Sequence, residues 1–205
     1  MKPTNHSVYD FFLNREAGLL DREHYRSFAI FVPIIYKQNE PHLLFQVRGE
    51  NIKQPGEICF PGGKVDQEDA SPKAAAIREL IEEIGVSHSE VTCYGPLDYM
   101  ITPYRFTLYP FIGEIAANAT FNLNPDEVQE VFTVPIKVLK NMEPKTYNIY
   151  LEVQPEDAFP YHLIPNGEEY NWRTGVVHEH FYEYNGRVIW GLTARILKHV
   201  LYLLP

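Results

Sequence analysis

Gly62-Gly63-Lys64-Val65-Asp66-Gln67-Glu68-Asp69, followed by Ser71-Pro72 and then Ala74-Ala75-Ala76-Ile77-Arg78-Glu79-Leu80-Ile81-Glu82-Glu83-Ile84-Gly85-Val86, is the stretch that decides the fold. It reads as a tight glycine loop feeding a short helix. Ser71 is a good N-cap, and Pro72 suits the first helical position, where a missing N–H is harmless. Gly85 tolerates the left-handed conformation that ends a helix. The helix is therefore expected from about Pro72 to Ile84. At about 100° per residue, Ile77, Leu80, Ile81 and Ile84 fall within roughly a 100° arc, the stripe a helix buries against a sheet. Glu79, Glu82 and Glu83 are expected on the opposite side.

Residues three and four apart are neighbours on a helix, so these carboxylates repel by a few tenths of a kcal/mol per pair. Arg78 reaches Glu82 at i+4, but one guanidinium cannot neutralise three acids. Hard divalent cations such as Mg²⁺ or Mn²⁺, which take oxygen ligands, can. A solvated acidic face is the plain alternative, and the glycine loop turns the reading toward a metal.

Upstream, Phe28 to Tyr36 is an apolar run suited to a buried strand, and His42 to Arg48 is the next, with the turn between them in Lys37 to Pro41. Downstream, Val91 to Ile101 and Thr107 to Ile115 favour strands, and Asn122 to Pro135 reads as a loop and a strand before a short helix to Lys140. Tyr147 to Val153 is a further strand, inside a stretch from Met142 to Trp172 rich in Pro, Tyr and acids. Asn185-Gly186 marks a hairpin. Gly191 to Leu204 is a closing helix, with Leu192, Ile196, Leu197, Val200 and Leu204 as its buried stripe. Met1 to Tyr25 reads as a helix or loop packed on the outside. His178 and His180 share one strand face, but a metal pair there lacks a third ligand. The pattern predicts an α/β fold, a mixed sheet sandwiched between helices. It forms one domain over 1–205, with its core at about 26–140 and an elaboration over 141–205.

The residues from Gly63 to Val86 resemble the signature of the Nudix hydrolases: Gly, five residues, Glu, seven residues, then Arg-Glu-apolar-x-Glu-Glu-x-Gly-apolar. The second half matches at every position from Arg78 to Val86. The first half departs, because five residues after Gly63 stands Asp69 rather than Glu, and eight residues separate Asp69 from Arg78. Phe60-Pro61-Gly62-Gly63, with Leu43, Leu44, Arg48 and Gly56 before it, is similar to the coenzyme A diphosphatase branch. Tyr109-Pro110-Phe111-Ile112-Gly113 and Ile189 to Arg195 resemble that branch too. Arg48 sits one place late, and Ile52 stands where the branch has a second Arg.

The resemblance implies a Nudix fold with Glu79 and Glu83 as the main metal ligands, Glu82 sharing the metal or reaching it through water, and the Gly63 carbonyl contributing. It implies that Arg78 orients the carboxylates. It makes Glu127 and Glu130 candidates for an extra ligand or general base, against the reading of both as ordinary exposed acids. Arg48 and Lys53 become candidates for substrate binding, against a solvated loop.

A net charge of −9 and a pI near 5.4 over 205 residues argue against a nucleic-acid surface, since phosphate contacts need clustered Lys and Arg. Cys59 and Cys93 read as core filling in a reducing compartment rather than a disulfide framework. With no leader pattern and no run of 18 apolar residues, the expectation is a soluble, cytoplasmic protein without a membrane span. A homodimer is compatible with the sequence. The expected activity is metal-dependent hydrolysis of coenzyme A or a derivative at its diphosphate bond. Another nucleoside-diphosphate-linked substrate such as ADP-ribose, or a sensor that has lost catalysis, are the alternatives. The small-molecule partner is in each case a nucleotide diphosphate.

Overall fold

The computed structural model describes residues 10–13 and 15–205. The expectation for the opening segment falls partly outside these residues. Within them, Phe11, Phe12 and Leu20 are exposed, while Leu19 and Tyr25 are half-buried.

Strands β1 (Arg26–Lys37) and β2 (Glu40–Arg48) form the anticipated hairpin. Its turn narrows to Gln38 and Asn39, both at positive φ, which suits the twist of a two-residue hairpin connection. Beyond Ile34 and Leu43 the two strands diverge toward their other ends, and the chain from 58 to 65 fills the gap. There β3 (Ile58–Cys59) pairs with β2, and β4 (Gly62–Lys64) pairs with β1. Phe31 N–H donates to the Pro61 carbonyl and Val65 N–H to that of Ser27, stitching the wedge in place.

On the far side of β1, β7 (Phe106–Ile115) runs parallel to it and pairs antiparallel with β5 (Val91–Pro96) and β6 (Met100–Ile101). The single strand expected over Val91 to Ile101 is thus broken in two. On the far side of β2 lies β8 (Val128–Pro135), with a register shift at Val47/Arg48. Eight strands form this mixed sheet.

Strand alternation sends side chains to two cores. Ala29, Phe31 and Leu44 point to one face and pack on Ala75, Ala76, Leu80 and Ile84 of α1 (Pro72–Ile84). Val32, Ile34, Leu43, Phe45 and Val47 point to the other. They meet Ile136 and Leu139 of α2 (Ile136–Lys140) and Ala194, Ile196, Leu197 and Val200 of α3 (Gly191–Leu203). The result is the expected helix, sheet, helix sandwich. Strands β9 (Lys145–Leu151), β10 (Gly175–Tyr184) and β11 (Arg187–Ile189) form a second, three-stranded sheet beside α3. The turn from β10 to β11 is Asn185-Gly186, both at positive φ. No helix among the described residues is long and apolar enough to cross a membrane.

Helix α1 has the bounds and caps that its sequence predicts. The Ser71 hydroxyl accepts from Ala74 N–H at 3.2 Å, and Gly85, at φ 74°, donates to the Ile81 carbonyl. Its buried face is turned relative to expectation: it centres on Ala76, Leu80, Glu83 and Ile84, while Ile77 and Ile81 lie at the margin. The small side chains of Ala75 and Ala76 let the helix lie close to β1.

Candidate active site

The turned face of α1 decides the site. Glu83, expected on the solvent side with Glu79 and Glu82, is 4% exposed and points into the sheet. Gln46 Nε2 donates to Glu83 Oε1 at 2.8 Å, and Gly62 N–H donates to Oε2 at 2.8 Å. Gln46 faces α1 because it follows Leu44 by two along β2. Gly62 delivers its N–H because the wedge between β1 and β2 holds it at φ 154°, where a Cβ would strike the Ala29 carbonyl. Burial, only partly offset by these two donors, pushes the Glu83 carboxyl up to about 7, and the nearby Glu79 and Glu127 charges add to the rise. Among the described residues no cationic side chain reaches it.

Glu79 lies against Gly63, where any Cβ would run into its carboxylate. Burial raises its pKa, with Arg78 opposing. Arg78 is the hub of the remaining acids. Its Nε and Nη2 donate to the two oxygens of Asp69 at 3.0 and 2.9 Å, and its Nη1 donates to Glu79 at 2.9 Å and Glu82 at 2.8 Å. Nη2 also donates to the Lys64 carbonyl at 3.1 Å. This bidentate pairing holds the Asp69 carboxyl below its usual range. The extra residue between Asp69 and Arg78 is therefore absorbed in the loop, and Asp69 still closes onto the helix.

Glu127 is brought in by the segment after β7. Asn122 and Asn124 N–H groups donate to the carbonyls of Ile84 and Glu83, tying that segment to the last turn of α1. Glu130 is not brought in. It is opposite Val47 in the β2/β8 ladder, on the face away from α1, and accepts from Arg187 Nη1 and Nη2 at 2.6 and 3.1 Å. Arg187 in turn lies 4.3 Å over the Phe132 ring. The expectation that Glu130 serves beside Glu127 is corrected: alternation along β8 turns it to the other core.

Beside the acids a cleft of about 550 Å³ opens between the wedge, residues 102–106 and the start of α3. Cys59 joins the two regions. It lines the cleft, and burial, with the Glu83 charge adding, pushes its thiol up to about 11 while Arg48 opposes. Arg48 also lines the cleft and donates from Nε to the Lys53 carbonyl at 2.9 Å. The Lys53 side chain is exposed and lies outside the lining, so its part is to hold Arg48 by its backbone. His178 and His180 are bonded separately, to Asn148 and to Thr146 and Lys198.

Sequence reading missed Gln46 and noted Asp69 only as a departure from the signature, without a role. The signal for Gln46 was a lone amide in an otherwise apolar strand, at the same parity as Leu44. For Asp69 it was an acid at the loop end facing a helix with one arginine.

A glycine wedge delivers a backbone N–H and a C=O group to a glutamate-bearing helix on a mixed sheet. Residues 26–153 match the NUDIX domain model, and the chain belongs to the Nudix family. Its relatives include an uncharacterized Nudix hydrolase NudL of Yersinia pestis, 30% identical over 190 residues, which span 89% of this chain and 84% of that protein. A relative from Yersinia pseudotuberculosis is similar to the same degree. Among solved structures, a MutT/nudix family protein from Enterococcus faecalis aligns over 97% of this chain and 68% of its own, at 14% identity and a TM-score of 0.49. The NUDIX domain of Shewanella oneidensis NrtR complexed with ADP ribose aligns over 66% and 87%, at 16% identity and a TM-score of 0.46. At these scores neither bears on the substrate of this chain. The general reaction is hydrolysis of nucleoside diphosphate derivatives.

Proposed function

We propose that this Nudix hydrolase cleaves the diphosphate bond of coenzyme A or a derivative, giving 4′-phosphopantetheine (or its acyl form) and adenosine 3′,5′-bisphosphate. The observation that carries the reading is Glu83: a buried carboxylate held only by neutral donors, with Glu79 and Glu127 close enough to raise its pKa. Such a group is expensive to ionise unless a cation joins it. Among the described residues no three His, Cys, Asp or Glu side chains are already grouped as a cage, since Arg78 draws Glu79 and Glu82 to itself. The donor set is nevertheless all oxygen, which suits Mg²⁺ or Mn²⁺. Glu79, Glu83 and the Gly63 carbonyl would hold the ion, with Glu82 completing the set from the exposed side. When bound, the ion supplies neutralisation of phosphate charge and acidifies water.

The chain's own residues do the rest. Arg78, fixed by Asp69, sets the orientation of Glu79 and Glu82, and the Gln46 and Gly62 donors fix both oxygens of Glu83. Glu127, on the segment tied to the end of α1, is the candidate for an extra ligand or for the base that takes a proton from water attacking the diphosphate. Arg48, in the adjoining cleft, supplies positive charge for the anionic substrate. The coenzyme A assignment within this class draws on Phe60-Pro61-Gly62-Gly63 and Arg48.

Hydrolysis of coenzyme A, ADP-ribose and NADH at equal concentration, with Mg²⁺ and then Mn²⁺ and products identified by mass, tests the proposal. Preference for coenzyme A is expected. Preference for ADP-ribose would move the assignment to another diphosphate while keeping the chemistry, and no turnover of any would leave the sensor reading.

A further inference from the structure

The cleft beside the acids contains a second carboxylate, half-buried with one oxygen shut off from solvent, that the hydrolytic chemistry does not use. Glu179 stands on β10 and lines the cleft, and its Oε2 is fully buried with no hydrogen-bond partner among the described residues. An acceptor left so is costly, by about 1–3 kcal/mol or more for a charged group, unless a ligand's donor satisfies it. Its surroundings are the kind that take a flat ring. Trp190 lines the same cleft with Phe181 stacked near-parallel to it, centroids 5.9 Å apart and planes at 10°. Tyr104 lines it too, stacked on Phe106 at 6.3 Å. The Tyr104 loop is held in place by the Thr102 N–H and hydroxyl, both donating to the Phe106 carbonyl, and by Arg26 N–H donating to that of Arg105. The volume, about 550 Å³, is in the range that accepts a nucleotide.

We propose that this cleft is the base subsite of the hydrolase, in which Glu179 accepts a hydrogen bond from the exocyclic amino group of an adenine-class ring lying against Trp190. An amino-bearing purine supplies what the site lacks, an N–H donor at the edge of an aromatic plane. The proposal rests on the nucleotide-diphosphate reading of the neighbouring acids. It assigns specificity to residues of the second sheet and of the lead into α3, outside the glycine loop and helix that carry the acids.

The test is binding, so that it is independent of turnover. Trp190 and Trp172 are the two tryptophans, so a Trp172→Phe background leaves Trp190 as the reporter. Its fluorescence is titrated with adenosine monophosphate and with purine riboside monophosphate, which lacks only the amino group. Quenching by both is expected, with adenosine monophosphate binding about tenfold tighter, the effect of one hydrogen bond to a charged group. Glu179→Ala should bring the ratio to about one. Glu179→Gln, whose amide oxygen still accepts, should retain part of it, and circular dichroism checks that both variants fold. A wild-type ratio surviving in Glu179→Ala, or no quenching of Trp190 by either nucleotide, overturns the proposal. A protein that shows the expected ratio yet hydrolyses no diphosphate would instead fault the hydrolase reading and leave the base subsite standing.

Discussion

Glu83, on the helix packed against one face of the sheet, and Glu130, on a strand of that sheet, are both glutamates, yet the fold treats them in opposite ways. Glu130 faces the α2/α3 core, keeps partial exposure and meets a guanidinium in a two-bond fork, which holds its pKa below the usual carboxylate range. Glu83, on α1, faces the sheet, is buried, and receives an amide and a backbone N–H but no cation, so its pKa rises to about 7. One charge is neutralised by the chain itself. The other is oriented by neutral donors alone and, on the proposed reading, is completed by a cation. On the proposed reading, the contrast separates a structural acid from a metal-binding one better than motif position does, since both were candidates by resemblance.

The sharpest way to break this contrast is Glu83→Gln. The amide keeps the shape, removes the charge, and should lower kcat by about a thousandfold, or roughly 4 kcal/mol of barrier. At pH 8 without metal the same variant should be more stable than the parent, because a buried uncompensated charge has gone. Steady-state kinetics and chelator-treated thermal melts read the two effects separately. Retained activity would remove Glu83 from the metal set.

Arg78→Lys comes next. Lysine keeps the charge but not the planar fork that reaches Asp69, Glu79 and Glu82 together. Activity should fall about 10- to 100-fold, with weaker metal binding and a higher Mg²⁺ midpoint, as for other residues that orient ligands. A Mg²⁺ titration of kcat/KM checks it. If Arg78 only braced the loop, melting temperature would drop while the Mg²⁺ midpoint stayed put.

The pH dependence of stability follows from the same pair. Glu83 has a folded-state pKa raised from 4.5 to about 7, so protons bind the folded state more tightly than the unfolded one. Its contribution is fully present below about 4.5 and is lost as pH rises through 7, a change of a few kcal/mol in the metal-free protein. Chelated protein should therefore lose stability between pH 5.5 and 8 more steeply than Glu83→Gln does, and Mg²⁺ should restore it at pH 8. Parallel curves for the two proteins would contradict the buried, uncompensated state of Glu83.

Much of this was legible in the sequence because the signals are local. Ser71, Pro72 and Gly85 fix the ends of α1 by capping chemistry alone, and Asn185-Gly186 fixes the β10 to β11 turn. The rotation of α1 was not legible. Counting isoleucines placed its buried stripe on Ile77, Leu80, Ile81 and Ile84, whereas close packing on β1 favours the side bearing Ala75 and Ala76, and that choice carries Glu83 inward. Glu130 was misplaced for a related reason. Its side depends on the register of β8 against β2, including the shift at Val47/Arg48, and long-range register is not written in a short motif. The divergence of β1 from β2, which admits the glycine wedge, is likewise a property of the whole sheet.

The smallest expected effect tests the other half of the contrast. Glu130→Gln leaves Arg187 one partner short on a half-exposed surface, where Arg187 still lies over Phe132 and can be solvated. The loss of stability should be about 1 kcal/mol, the scale of an exposed but well-formed ion pair, and it should shrink in high salt. Activity and the Mg²⁺ midpoint should stay within about twofold of the parent, because the substitution changes one face of the sheet while the acids sit on the other. A collapse in kcat comparable to that of Glu83→Gln would mean that Glu130 reaches the reacting groups after all, and that the face of β8, rather than the motif, had been misread.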